Sequence, residues 1–250
     1  MGLRTREKLA NIKMIAFDMY GTLVRNDQSS WQSLTEDLVE DFALPVNALK
    51  LHELWSVQER KFRERRLNYK TLKLNPPFVS YKSAWGIAWD KAFKDSGIEA
   101  DSSIFAQRGI ERMGLRESFD DSTFVLNQMS EKIRLGVLSN ADDQYLSASL
   151  IKHGWKFELT LSSESARTYK PDPEIFRLFC QKAGLGPNEV LFVGDSLYDD
   201  IHGAKNAGLS AIQILRNQDT PGRTPIPDGV EMMPPDSVIT SLTELLDLIP

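Results

Sequence analysis

The sequence has one cysteine in 250 residues, so no internal disulfide can form and no zinc framework is available. Cys180 sits in "PEIFRLFCQKAG" and reads as a buried helix residue, packing as a small hydrophobe. Excess positive charge is also missing: 30 Lys and Arg stand against 35 Asp and Glu, a net charge of -5. Neither nucleic acid nor an anionic membrane would be drawn to such a chain electrostatically. No uninterrupted apolar run reaches membrane-spanning length, and the opening "MGLRTREKLANIKM" lacks the apolar stretch of a secretion signal. Repeats and low-complexity segments are absent as well. These absences leave a globular protein, expected in the cytoplasm and expected to act on a small anionic molecule. Its oligomeric state is left open.

What is present is a rhythm of short apolar runs. Lys13 to Asp18 (KMIAFD), Arg134 to Ser139 (RLGVLS), Phe157 to Ser162 (FELTLS), Val190 to Asp195 (VLFVGD) and Ala211 to Leu215 (AIQIL) read as strands. From the second run onward, helix-like segments separate them at the spacing of βα units, which predicts a Rossmann-like parallel sheet. Residues 27–112 break this rhythm with helical patterns and almost no strand signal. "SSWQSLTEDLVEDFAL" has a serine cap, "PVNALKLHELWSVQERKFRERRL" opens on Pro45, and "FVSYKSAWGIAWDKAFKDSG" and "DSSIFAQRGIERMG" end on glycines. The expected architecture is an α/β core, residues 1–26 and 113–250, with an inserted helical cap over 27–112. The cap's tryptophans read as core, and "ERKFRERR" reads as a solvated helix face. Residues 217–236 read as a long surface loop before a final helix at 237–248.

Four polar constellations fall at the ends of predicted strands, where ligands bind in open α/β sheets. Asp18 follows "IAF" and precedes a glycine turn, the place for a nucleophilic or metal-binding carboxylate. Thr22 can donate to an anion. Ser139 and Asn140 end the second run, where a hydroxyl and backbone N–H groups can cradle an anion. Lys170 stands before Pro171, which biases it toward extended backbone and away from helix. "GDSLYDD" then places Asp195, Asp199 and Asp200 within six residues. Three carboxylates so close call for a cation or a lysine, and a hard oxygen set suits magnesium.

This order of Asp, Ser, Lys and Asp-x-x-x-x-Asp resembles the haloacid dehalogenase-like hydrolase superfamily, of the helical-cap type, over nearly the whole chain. The resemblance implies that Asp18 is the nucleophile and that Lys170 orients it. It further implies that Thr22 and Ser139 contact the transferred group. Asp18, Asp195, Asp200 and the backbone carbonyl of Tyr20 would hold Mg2+.

Two chemistries of that superfamily compete. Its phosphatases carry a second aspartate two residues after the nucleophile, and Tyr20 stands there instead. A phenol with a pKa near ~10 cannot act as base at neutral pH. Its 2-haloacid dehalogenases carry Asp-x-Tyr-Gly-Thr, as here, because halide leaves without a proton. Other positions depart from the dehalogenase pattern. Ser56 occupies the best match to the halide-binding arginine of the cap, with Arg60 or Arg63 as substitutes. Phe176 replaces a tyrosine, and Gly194-Asp195-Ser196 has the metal-binding form. The expectation is therefore a magnesium-dependent phosphohydrolase working through an aspartyl phosphate. A metal-independent 2-haloacid dehalogenase is the alternative, and a non-catalytic regulatory or binding module is a third reading. His153 and His202 read as surface residues of core helices.

Overall fold

The computed structural model describes residues 11–75, 77–216 and 224–248. Its centre is a parallel sheet of six strands: β1 (Met14–Phe17), β4 (Arg134–Ser139), β5 (Leu159–Ser162), β6 (Val190–Gly194), β7 (Ser210–Ile214) and β8 (Ser237–Ile239). Their spatial order is β5-β4-β1-β6-β7-β8. β1 lies between β4 and β6, in register Phe17↔Val137 and Phe17↔Val193. Both faces of β1 and β6 are buried, which is why their sequences are apolar without alternation. The α/β core is therefore as the strand spacing predicts.

Between β1 and β4 the chain builds helices α1 (Gln28–Asp41), α2 (Ala48–Arg65), α3 (Tyr81–Ser96) and α4 (Ser102–Gly114). α3 shows why these sequences are helical. The Ser80 side chain accepts from Ser83 N, satisfying one orphan amide at the start. Tyr81, Ala84, Trp85, Ala88, Trp89, Ala92 and Phe93 then form one buried stripe at helical spacing. Gly97 ends the helix at φ +67°, a left-handed conformation that costs glycine nothing. α1 is capped by Asp27 rather than by a serine: its carboxylate accepts from Ser30 N at 2.9 Å.

The tryptophans form the core of this insertion, as expected. Trp31 stacks on Trp55 and meets Trp85 edge-on, both with centroids 5.0 Å apart. Each such pair adds about 0.5–1.5 kcal/mol beyond the area it buries. The insertion leaves and rejoins the sheet side by side, with Arg25 N donating to Glu117 O at 2.8 Å.

Three expectations are corrected. The insertion holds a small antiparallel hairpin, β2 (Leu67–Asn68) with β3 (Lys73–Leu74), too short to leave a periodic signal. Residues 237–239 are the edge strand β8 rather than the start of a helix, and only Leu242–Asp247 is helical, as a 3-10 turn. His202 is buried at 7 % exposure and accepts from Met233 N, because its helix packs beneath the following segment. Residues 217–223 of the predicted loop lie outside the described residues, as do residues 1–10. Cys180 is buried in the helix α8 (Pro173–Ala183), and burial raises its thiol to about 11.

Candidate active site

The carboxyl ends of β1, β4 and β6 converge on one buried charge cluster. Asp18 follows β1, Ser139 closes β4 and Asp195 follows β6. Lys170 Nζ donates to Asp18 Oδ1 and to Asp200 Oδ1, both at 2.6 Å, and to the carbonyl of Leu138 at 3.1 Å. Ser139 Oγ donates to the same Asp18 oxygen at 3.3 Å. One ammonium thus bridges two carboxylates and fixes the rotamer of each.

Two glycines make the crowding possible. A Cβ on Gly194 would fall 2.4 Å from the Asp200 carboxyl. A Cβ on Gly21 would fall 2.7 Å from Asp195, and Gly21 also takes φ +96°. Asn140 serves the scaffold from β4: its amide nitrogen donates to the Lys170 carbonyl at 3.0 Å, and its oxygen accepts from Lys170 N at 2.8 Å.

The electrostatics follow from burial and pairing. Burial alone would lower the pKa of Lys170, but Asp18 and Asp200 outweigh it and hold the ammonium above its ordinary value. Burial pushes Asp200 well above the carboxylate range, with the Lys170 charge opposing. Tyr20 is driven strongly upward by burial, so its phenol stays neutral. The Tyr20 hydroxyl donates to the Tyr145 carbonyl at 3.2 Å, which occupies its proton on the scaffold.

The cluster opens on a cavity of about 70 Å³ between the sheet and the insertion. That is about half the ~150 Å³ that takes up benzene in an engineered cavity. From the core come Asp18, Tyr20, Ser139, Asn140, Lys170, Asp195 and Asp200, the site residues expected from sequence. Thr22 is not among the lining residues. Its side chain is fully buried, and its hydroxyl has no hydrogen-bond partner among the described residues.

The stretch between β1 and β4 contributes Asn26, Trp31, Arg63, Tyr81, Trp85 and Met113, of which the sequence singled out only Arg63. Trp31 and Trp85 are therefore both core and wall. Of the two arginines named as substitutes for a halide-binding residue, Arg63 lines the cavity and Arg60 is exposed. His153 and His202 are not in the lining.

The reading of "ERKFRERR" as a solvated face is corrected in part. Glu59, Arg63 and Arg66 recur at helical spacing and turn inward. Arg63 Nε pairs with Glu59 at 2.5 Å. Arg66 reaches Asp199 Oδ2 at 3.0 Å, Thr224 Oγ1 at 2.9 Å, Tyr81 OH at 2.6 Å and the Lys170 carbonyl at 3.3 Å. Charge cancelled by a partner one turn away is invisible to a charge count. Asp199 also lines the cavity, and its Oδ1 is buried with no hydrogen-bond partner among the described residues.

A buried carboxylate at a strand end, a buried lysine bridging it to a second acid, and helices closing over both form one enclosed site. The family model for haloacid dehalogenase-like hydrolases matches residues 12–208, and the chain belongs to that family. The (S)-2-haloacid dehalogenase 4A of Burkholderia cepacia is 26% identical over 96% of this chain and 95% of its own. N-acylneuraminate-9-phosphatase of Mus musculus is 29% identical over 64% of this chain and 65% of its own. Among solved structures, the L-2-haloacid dehalogenase of Xanthobacter autotrophicus with chloropropionic acid covalently bound aligns with a TM-score of 0.71. It is 22% identical and covers 95% of this chain and 98% of its own.

The relatives correct the expectation of a magnesium-dependent phosphohydrolase, since (S)-2-haloacid dehalogenases of three organisms match the chain over 82–96% of its length. The physical reason lies in the geometry above. Two of the three carboxylates of "GDSLYDD" already have a protein cation beside them, Asp200 at Lys170 and Asp199 at Arg66. An acidic fourth motif is not by itself a metal signature.

Proposed function

We propose that this hydrolase acts on small 2-halocarboxylic acids, with residues 27–112 serving as a cap over the sheet of 1–26 and 113–250. The observation that carries the reading is Tyr20. Where a phosphatase needs a carboxylate to protonate its leaving alkoxide, this site has a buried phenol with its proton engaged and its pKa driven upward. Only a leaving group that departs as a stable anion suits such a site, and halide does.

In this reading an Asp18 oxygen attacks C2 of the substrate as the carbon–halogen bond breaks. The electron pair leaves with the halide, and an ester joins Asp18 to the former substrate. Lys170 and Ser139 hold the carboxylate by its Oδ1, leaving Oδ2 for attack. Arg63 offers positive charge on the cap side for the substrate carboxylate or the departing halide. Water then attacks the ester carbonyl, releasing a 2-hydroxy acid and restoring Asp18. The unpartnered Oδ1 of Asp199 is the acceptor for that water's proton. The aromatic wall of Trp31, Tyr81 and Trp85 packs the apolar part of the substrate and keeps bulk water out.

Asp18, Asp195 and Asp200 each offer a carboxylate oxygen within 4.8 Å of the others, a hard donor set that fits magnesium, with the Tyr20 carbonyl as a further ligand. A bound ion would offset the negative charge that Lys170 leaves over. No step of the displacement requires it.

The test is halide release from (S)-2-chloropropionate with and without EDTA, beside a panel of phosphate esters. The reading predicts chloride release that survives EDTA and falls by at least about 10⁴-fold in Asp18→Asn. Phosphate release without chloride release would overturn it.

A further inference from the structure

A second cavity lies in the insertion, between α2, α3 and the irregular segment 77–80 before α3. Its volume is about 400 Å³, and it shares no lining residue with the catalytic cavity. That size falls within the ~300–1,000 Å³ typical of small-molecule sites. Its floor is apolar, formed by Phe62, Val79, Ala84, Ala88 and the ring of Tyr169, and Ile87 overhangs it at 65 % exposure.

The rim has one sign of charge. Lys61, Arg65 and Lys91 line the opening, and no acidic residue lines the cavity among the described residues. Lys91 is paired with Asp95, whereas Lys61 and Arg65 have no ion pair among the described residues. Such a rim is unexpected on a chain with net charge -5 unless it selects something.

We propose that this groove binds an apolar monocarboxylate, its hydrocarbon on the Phe62–Ala88 floor and its carboxylate at Lys61 and Arg65. Charge complementarity argues for this occupant over a second copy of the chain. An isologous contact would bring the same unpaired cations face to face.

The groove adjoins the machinery of the sheet. Arg66, at its inner end, stacks 5.0 Å over Tyr169 and bonds the Lys170 carbonyl and Asp199. Tyr169 precedes Lys170 and donates its hydroxyl to the Val79 carbonyl. An occupant therefore touches the two residues that hold the backbone of Lys170 from behind.

Calorimetric titration of the full chain with decanoate, and separately with decylammonium, tests the proposal. Decanoate is expected to saturate at one equivalent and to bind about tenfold or more tightly than its cationic twin. The exposed double charge reversal Lys61→Glu/Arg65→Glu is expected to weaken decanoate by about tenfold or more and to favour decylammonium. Chloride release should be unchanged in that variant, because neither residue touches the catalytic cavity. Decanoate should still bind Asp18→Asn, which separates this groove from the catalytic site.

No saturable decanoate binding, equal binding of the two probes, or binding indifferent to charge reversal would each overturn the proposal. So would sedimentation showing a dimer that dissociates on charge reversal, which would assign the groove to a second copy. None of these outcomes depends on whether the enzyme releases chloride or phosphate.

Discussion

The two walls of the catalytic cavity are built on opposite principles. The sheet wall is a dense charge cluster in which one lysine spans two carboxylates at 2.6 Å. The insertion wall is aromatic, with a single arginine already paired to Glu59 one turn away. In the proposed reaction the sheet wall supplies the attacking atom, and it rests on β1 and β6, whose residues are all buried. The insertion wall fixes what fits. On the proposed reaction, chemistry and choice of substrate are carried by different elements, and substitutions on the two sides should fail differently.

The largest effect is expected on the sheet wall. Lys170→Met leaves Asp18 and Asp200 buried without their counter-charge, which should cost about 3–5 kcal/mol of stability and abolish chloride release. Urea unfolding and a chloride assay check this together. Loss of activity with unchanged stability would mean that the cluster is not the buried pair described here.

On the insertion wall, Arg63→Gln should leave the fold intact and raise KM for (S)-2-chloropropionate by about 10–100-fold, the worth of one charged hydrogen bond. Arg63→Lys should recover part of the loss. An unchanged KM in both variants would erase the distinction between the walls.

A smaller effect is expected where the walls join. Asp142 follows β4 and accepts from the first amides of α3, Tyr81 N at 2.7 Å and Lys82 N at 2.8 Å. Burial raises its pKa from 3.8 to about 6, although those two amides oppose the shift. The folded chain then holds this proton more tightly than the unfolded one. Stability from this group is present below the unfolded value and is lost as pH rises from about 4 to about 6. Unfolding free energies of the native chain and Asp142→Asn, compared across that window, should differ by a margin that shifts by about 1–3 kcal/mol. A constant difference would contradict the assignment.

The same contrast explains what the sequence disclosed. The strands and the sheet-wall residues were legible because Asp18, Ser139 and Asp195 each end or follow an apolar run, while Lys170 is marked by the proline after it. Asp18, Ser139, Lys170 and Asp195 needed no knowledge of packing. The insertion wall was legible only at Arg63, and there only as one of two substitutes for a halide-binding residue. Arg63 and Arg66 lie in a run of charges whose inward members differ from the outward ones only by helix phase. Trp31 and Trp85 satisfy the core and the cavity at once, and no pattern separates those duties. The hairpin of β2 and β3 and the edge strand β8 escaped because they are too short for a period of two to register.

Acidity in "GDSLYDD" misled for a related reason. Its negative charge is answered by Lys170, 30 residues before Asp200, and by Arg66 from the insertion, and both reach the site only through the fold.

The central claim is that an Asp18 oxygen bonds to substrate carbon and that water later attacks the Asp18 carbonyl. A single turnover of (S)-2-chloropropionate with excess enzyme in heavy-oxygen water tests it, read by mass spectrometry of the peptide that contains Asp18. The account predicts one heavy oxygen in that peptide and none in the hydroxy acid released. Heavy oxygen in the product with an unlabelled peptide would mean that water attacks the substrate directly, and would contradict it.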